Sequence, residues 1–236
     1  MQIKLSKNIK IPPPKCAKRL PGFSLPEVIL VLSIIGIVAG LIVPTLLNNI
    51  QQSQFNTGVW QADTMLSQAV EQLQANNGIV NVTSSNALRN DLCNVMQCVR
   101  TDTTANILSP ISNPFYYSNY KSSTSSYNGA IDGSPTAILS NGMYILSINA
   151  IGSCTGNAGV NACAWLSVDI NGPYQGPNMI GEDLHAFWIV LNNGIYSILP
   201  RGTSNDTTDT GSQSCNIGNW ACACTYQRLY NPNNMP

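Results

Sequence analysis

Charge is what this sequence has least of. Only 9% of its 236 residues are Asp, Glu, Lys or Arg, and only 7% are aromatic. Histidine occurs once, at position 185, beside the start of an expected strand. No nucleophile elbow G-x-S-x-G, phosphate-binding P-loop or dinucleotide fingerprint is present. Together these absences argue against an enzyme. Basic residues are nearly missing from most of the chain. Six of the eleven, Lys4, Lys7, Lys10, Lys15, Lys18 and Arg19, fall in the first 22 residues, and all eleven acids come later. The remaining side chains sum to −6, with Arg89, Arg100, Lys121, Arg201 and Arg228 scattered among them. Phosphate backbones are bound by clustered Lys and Arg, so nucleic acid is not an expected partner.

What is abundant is apolar sequence in one place. The twenty residues from Val28 to Leu47 carry no charge. At about 1.5 Å per residue, a helix of that length spans the roughly 30 Å of a bilayer's hydrocarbon. Basic residues precede the run and very few follow it, which predicts a cytoplasmic head and an exported remainder. The run exceeds the roughly 7–15 residues of a secretory h-region, and no small-x-small cleavage site follows it. Just before it stands Glu27, an acid at a depth where charge without a partner is expensive.

Gly22, the sequence Phe23-Ser24-Leu25-Pro26-Glu27-Val28, the apolar helix and Pro44 closely resemble the class III signal of type IV prepilins and pseudopilins. The resemblance covers about the first fifth of the chain. It implies cleavage by a prepilin peptidase between Gly22 and Phe23, methylation of the new Phe23 amine, and a role for Glu27 in assembly. It also implies an α+β, pilin-like fold, in which a long N-terminal helix packs on an antiparallel sheet. The family usually has a large aliphatic residue before the glutamate, where this chain has Pro26. Proline is tolerated in a first helical turn, whose N–H groups lack intrahelical partners anyway. A free amine four residues from Glu27 gives a physical reason for the acid. In a stack of such helices, the carboxylate of one copy can neutralise the amine of the next inside an apolar bundle.

Export places the cysteines in an oxidising compartment, where disulfides are expected. Cys16 lies in the leader and lacks the small apolar residues that precede a lipidated cysteine. Of the other seven, Cys93 with Cys98 and Cys154 with Cys163 make natural local pairs. Cys222-Ala223-Cys224 cannot easily pair with itself, so Cys215 takes one of the two and a single thiol remains. Zinc is the competing idea, but the spacings are not C-x-x-C.

Past the apolar run, Phe55, Val59, Ala62, Leu66, Ala69 and Leu73 recur every three or four residues. That is one stripe of a helix continuing to about Ala75, with Gln61, Asp63, Gln68, Glu71 and Gln72 facing away. Asn76-Asn77-Gly78 is a stop signal. A short helix with a serine or asparagine cap is expected from Ser85 toward Cys93, within an otherwise irregular segment. Thr136–Ser140 and Met143–Ala150 flank Asn141-Gly142, a tight-hairpin dipeptide. Cys163–Ile170 reads as a third strand, and Ala186–Leu191 and Gly194–Leu199 flank a second turn at Asn192-Asn193. The expected divisions are a cleaved leader (1–22), a membrane half of the helix (23–47) and an amphipathic half (48–76). An irregular connection (77–135), an antiparallel sheet (136–200) and a cysteine-containing tail (201–236) follow. Gly36 and Gly40 form a G-x-x-x-G pair, a spacing that can allow close helix approach, while simple tolerance of glycine in membrane helices accounts for it equally well.

Asp169, Asn171, Glu182 and Asp183 lie in a glycine- and proline-rich stretch after the third strand. Their oxygens make calcium a candidate cofactor, although the spacing is not that of an EF-hand. Asx turns account for the same residues without a metal. The function expected is that of a structural subunit of a type IV pilus or type II secretion-like filament, with other pilin subunits, a prepilin peptidase, the inner-membrane assembly platform and the membrane as partners. An adhesive tip subunit built on disulfide-stapled loops is the alternative.

Overall fold

The structure, a computed structural model, describes residues 22–77, 80, 82–103, 106–107, 117–118, 125–127, 134–154, 160–203, 215–216 and 224–235. The chain divides into two compact units, residues 1–48 and 49–236. Helix α1 runs from Leu25 to Asn77. Its two halves bury opposite amounts of themselves. In the first half every large apolar side chain is exposed, from Leu25 at 77% to Ile50 at 45%. Such a surface does not stay in water on a monomer. This is a helix long and apolar enough to cross a membrane. Pro44 sits inside it, as membrane helices tolerate.

In the second half the expected stripe is buried: Phe55, Val59, Ala62, Leu66, Ala69 and Leu73, joined by Val70. Gln61, Gln68, Glu71 and Gln72 are exposed and Asp63 is half-buried. The stripe packs into a core with one face of a six-stranded sheet. Its strands are β1 (Cys98–Thr103), β4 (Pro135–Leu139), β5 (Tyr144–Ala150), β6 (Ala162–Asp169), β7 (Leu184–Asn192) and β8 (Ile195–Pro200), in that spatial order. Every pairing is antiparallel. A two-stranded ladder, β2 (Tyr117–Ser118) with β3 (Ser125–Tyr127), stands apart. The fold is therefore α+β, a long N-terminal helix packed on an antiparallel sheet, as expected.

Helix α2 (Ser85–Met96) adds Leu88, Leu92 and Met96 to the same core. Ser84 occupies its cap position but makes no side-chain capping bond. Ser85 instead turns its hydroxyl to the sheet, accepting from the Ala150 N–H at 3.0 Å. Strand β1 lies in the segment read as irregular. Its sequence, Cys-Val-Arg-Thr-Asp-Thr, carries polar residues because it is an edge strand in which no side chain is buried.

The sheet is buried on both faces, not on one. Along β7, Phe187 and Ile189 enter the core under α1, while Trp188 and Val190 join Ala162 on the other side. That alternation follows the strand period of two. The near-continuous apolar run His-Ala-Phe-Trp-Ile-Val-Leu is what a doubly covered strand looks like.

Both hairpin turns differ from expectation by one residue. At the first, Gly142 donates to the Leu139 carbonyl at 3.0 Å and Leu139 to the Met143 carbonyl at 2.9 Å. Only Gly142 of the loop has positive φ, at 90°. The connection is thus three residues long, a turn followed by a left-handed glycine. At the second, Asn193 (φ 51°) and Gly194 (φ 81°) form the two-residue turn, rather than Asn192-Asn193. Two successive positive φ values favour Asn-Gly over Asn-Asn.

Among the described residues three disulfides are formed, Cys93–Cys98, Cys154–Cys163 and Cys215–Cys224. Cys222 and Cys16 lie outside the described residues. The first bridge joins the end of α2 to the start of β1 across Gln97, whose φ is 55°.

Gly172, at φ 82°, lies so close to the β4–β5 loop that a Cβ would stand 2.6 Å from the Gly142 carbonyl oxygen. Gly152 has a similar φ, 85°, but open space around it. In urea unfolding, Gly152→Ala should cost about 1 kcal/mol for the backbone alone. Gly172→Ala should cost a further ~1–3 kcal/mol for the overlap. Equal costs would show that the Gly142 carbonyl gives way freely.

Candidate assembly segment and the buried ion pair

Gly22 and Phe23 precede α1 and both are exposed, Phe23 at 88%. Ser24 is the cap residue, its carbonyl accepting from the Val28 N–H at 3.2 Å. Glu27, in the first turn, reaches back to it. The Ser24 N–H and the Ser24 hydroxyl each donate to Glu27 Oε2, both at 2.8 Å. This is the glutamate half of a capping box. Glu27 is therefore not an acid without a partner within its own chain, as the sequence reading supposed. The pattern Ser-x-x-Glu before an apolar run carries that signal and was legible. Pro26 falls in the same turn, where no intrahelical N–H bond is lost.

The polar centre of the second unit is Arg228. It belongs to helix α3 (Cys224–Tyr230) and is 1% exposed. Nε donates to the Gly181 carbonyl at 3.1 Å, and Nη2 to Glu182 Oε2 at 2.9 Å. Nη1 donates to Gln52 Oε1 and Asn56 Oδ1, both at 3.0 Å. Gln52 Nε2 in turn donates to Glu182 Oε2 at 3.2 Å, and the guanidinium lies 5.9 Å from the Phe55 ring. One side chain thus fastens the C-terminal helix, the loop before β7 and the amphipathic half of α1. In the sequence Arg228 is one scattered cation among the five after residue 22. Its glutamate lies 46 positions earlier, and that separation hides the pair.

The four candidate calcium ligands take other work. Asp169 Oδ1 accepts from the Asn171 and Gly172 N–H groups at 3.1 and 2.8 Å. Asn171 Nδ2 donates to the Gly176 carbonyl at 3.0 Å. Asp183 caps the turn ahead of it, its two oxygens accepting from Asn178 and Met179 N–H at 2.6 and 2.7 Å. Glu182 holds Arg228. Among the described residues, no three His, Cys, Asp or Glu side chains gather as a metal would need. Turn chemistry and an ion pair engage all four side chains in the described residues.

His185 lies against this cluster, 1% exposed. Its Nε2 is 3.0 Å from the Glu182 carbonyl and its Nδ1 3.5 Å from Thr225 Oγ1. Burial, aided by the nearby Arg228 charge, pushes the imidazole down from 6.5 to about 3. Asp183 moves the other way. Burial lifts its carboxyl from 3.8 to about 6, against the pull of the Met179 and Asn178 N–H bonds.

These two shifts act on stability with opposite signs. His185 stays neutral in the folded chain, so its contribution is full above pH 6.5 and is lost as pH falls toward 3. Asp183 takes up a proton more readily when folded, so its contribution is full below pH 3.8 and is lost as pH rises through about 6. Between about pH 6 and 4 they oppose one another. His185→Gln keeps an N–H for the Glu182 carbonyl and removes one of the two. Relative to wild type, its unfolding free energy should rise on acidification by up to ~1.4 kcal/mol per pH unit. Parallel pH profiles in urea titrations would mean that His185 charges without cost. A scan against family models, and comparisons with curated proteins and with solved structures, find no match to this chain.

Proposed function

We propose that the chain is a structural subunit of a type IV pilus or type II secretion-like filament, a pilin or pseudopilin made as a precursor. A prepilin peptidase removes residues 1–22, the Phe23 amine is methylated, and the subunit assembles through the apolar half of α1. In this reading the precursor crosses the inner membrane once with its C-terminal domain outside the cytoplasm, engages the assembly platform there, and ends in an extracellular or periplasmic filament. The observation that carries it is the apolar half of α1, exposed along its length beside an exposed Gly22–Phe23 junction. Three short disulfide-closed loops support the second reading, a specialised subunit that adheres at a filament tip. A major subunit dominates sheared filaments, whereas a tip subunit is scarce in them.

Mass spectrometry of the exported chain should find N-methyl-phenylalanine at position 23. A chain that keeps Met1 in cells with active prepilin peptidase contradicts the proposal. The capping geometry separates two roles for Glu27. Glutamine can accept the same Ser24 bonds without a charge, whereas alanine removes both. Filament incorporation should fall in both Glu27→Gln and Glu27→Ala if the charge meets a neighbouring amine. Incorporation restored by glutamine would leave helix capping as the residue's whole contribution.

A further inference from the structure

Where α1 passes the β4–β5 loop, the two border a shallow groove of about 530 Å³. Thr57, Trp60, Gln61, Thr64 and Gln68 of the helix and Asn141 of the loop line it, over Met65. None of these side chains is charged. The lining thus offers hydroxyl and amide groups, each able to donate and accept, beside one large aromatic surface. Trp60 is 45% exposed although it is not loose. Tyr230 of α3 meets its ring edge-on, with centroids 5.7 Å apart, and Tyr226 lies 4.8 Å from Tyr230. Asn141 is also held in place. Its Oδ1 accepts from the Met143 N–H at 3.1 Å and its Nδ2 approaches Met65 Sδ at 3.7 Å.

The composition of this surface selects a class of ligand. A phosphate or carboxylate would find no cation in it, and a metal or amine would find no carboxylate. An aliphatic helix from another protein would cover the Gln61, Thr64 and Gln68 side chains without offering them partners, at a cost for each. A sugar ring fits both halves of the lining. The C–H face of a pyranose is apolar and covers an indole, while its rim of neutral hydroxyls pairs with amides that donate and accept at once. The volume falls within the roughly 300–1,000 Å³ of small-ligand sites. We propose that this groove binds a neutral oligosaccharide, with Trp60 as the stacking platform and Gln61, Gln68 and Asn141 as hydrogen-bonding groups. The site does not depend on whether the chain polymerises.

The test uses the full chain in a detergent without a sugar headgroup, which would otherwise compete. Maltotriose, cellotriose and chitotriose are titrated by saturation-transfer NMR, with trigalacturonate as the anionic comparison. At least one neutral sugar should bind with a Kd of roughly 1 mM, as a shallow site allows. Trp60→Ala should weaken it about tenfold or more, and Trp60→Phe should stay within about threefold, because a smaller ring still stacks. Gln61→Ala should cost about threefold through lost hydrogen bonds. Melting curves verify that each variant is folded, which the exposure of both residues favours. The proposal is overturned if none of the three neutral sugars binds at about 10 mM. It is equally overturned if Trp60→Ala binds as wild type does, or if the anionic sugar binds more tightly.

Discussion

Arg228 is a cation removed from water, and the arrangement of the second unit depends on how its charge is met. A buried guanidinium costs several kcal/mol unless its donors all find acceptors and its charge finds an opposite one. Here the partners come from two places far apart in sequence: Gln52, Asn56 and the face of Phe55 on α1, and Gly181 and Glu182 before β7. Neither can shift alone without leaving part of the fork unsatisfied. The pair is therefore weak evidence for net stability and strong evidence for a single docking geometry of α3. The contact of Tyr230 with Trp60 follows from that docking, because Tyr230 sits on the same short helix, against Tyr226.

The neighbourhood of the ion pair explains the unusual titration of its neighbours. Asp183 and His185 follow Glu182 in sequence, and all three are buried. Glu182 pairs with Arg228 at 2.9 Å. His185 cannot take a charge, because the same guanidinium is close and water is not. Asp183 has two backbone N–H groups to stabilise its anion, which offsets part of the cost of burial. Three titratable groups in four residues thus adopt three different solutions, each set by the partner that reaches it.

How much of this was legible beforehand differs by kind of interaction. The α1 stripe from Phe55 to Leu73 and the run of strands from β4 to β8 were readable, because both depend on local periodicity. Two disulfides were readable because their cysteines are near neighbours in the chain. Turn frames slipped by a residue, since Asn-Gly and Asn-Asn both satisfy composition while only φ decides between them. Strand β1 was hidden because an exposed edge needs no apolar alternation. The Arg228–Glu182 pair was hidden for a different reason: nothing in either local sequence marks a buried charge. Such a contact exists only once the chain has folded. The Ser24–Glu27 cap, by contrast, is legible in the sequence as Ser-x-x-Glu before an apolar run.

That cap bears on the energetics of the proposed assembly. With both Ser24 donors on Oε2, Glu27 enters the membrane edge already hydrogen-bonded. A neighbour's amine would then improve on a tolerable state rather than rescue an intolerable one. The driving force assigned to Glu27 must be smaller than the several kcal/mol of a wholly unpaired charge. Apolar area does not make up the difference, because lipid tails solvate Leu and Ile as well as another helix does. What remains is close packing. Along the exposed half of α1, Gly36 and Gly40 sit one turn apart with nothing over either position, and they admit a second backbone where Leu or Ile would hold it off. In this account Glu27 selects the register of a contact whose favourable free energy comes mainly from helices approaching at the glycines.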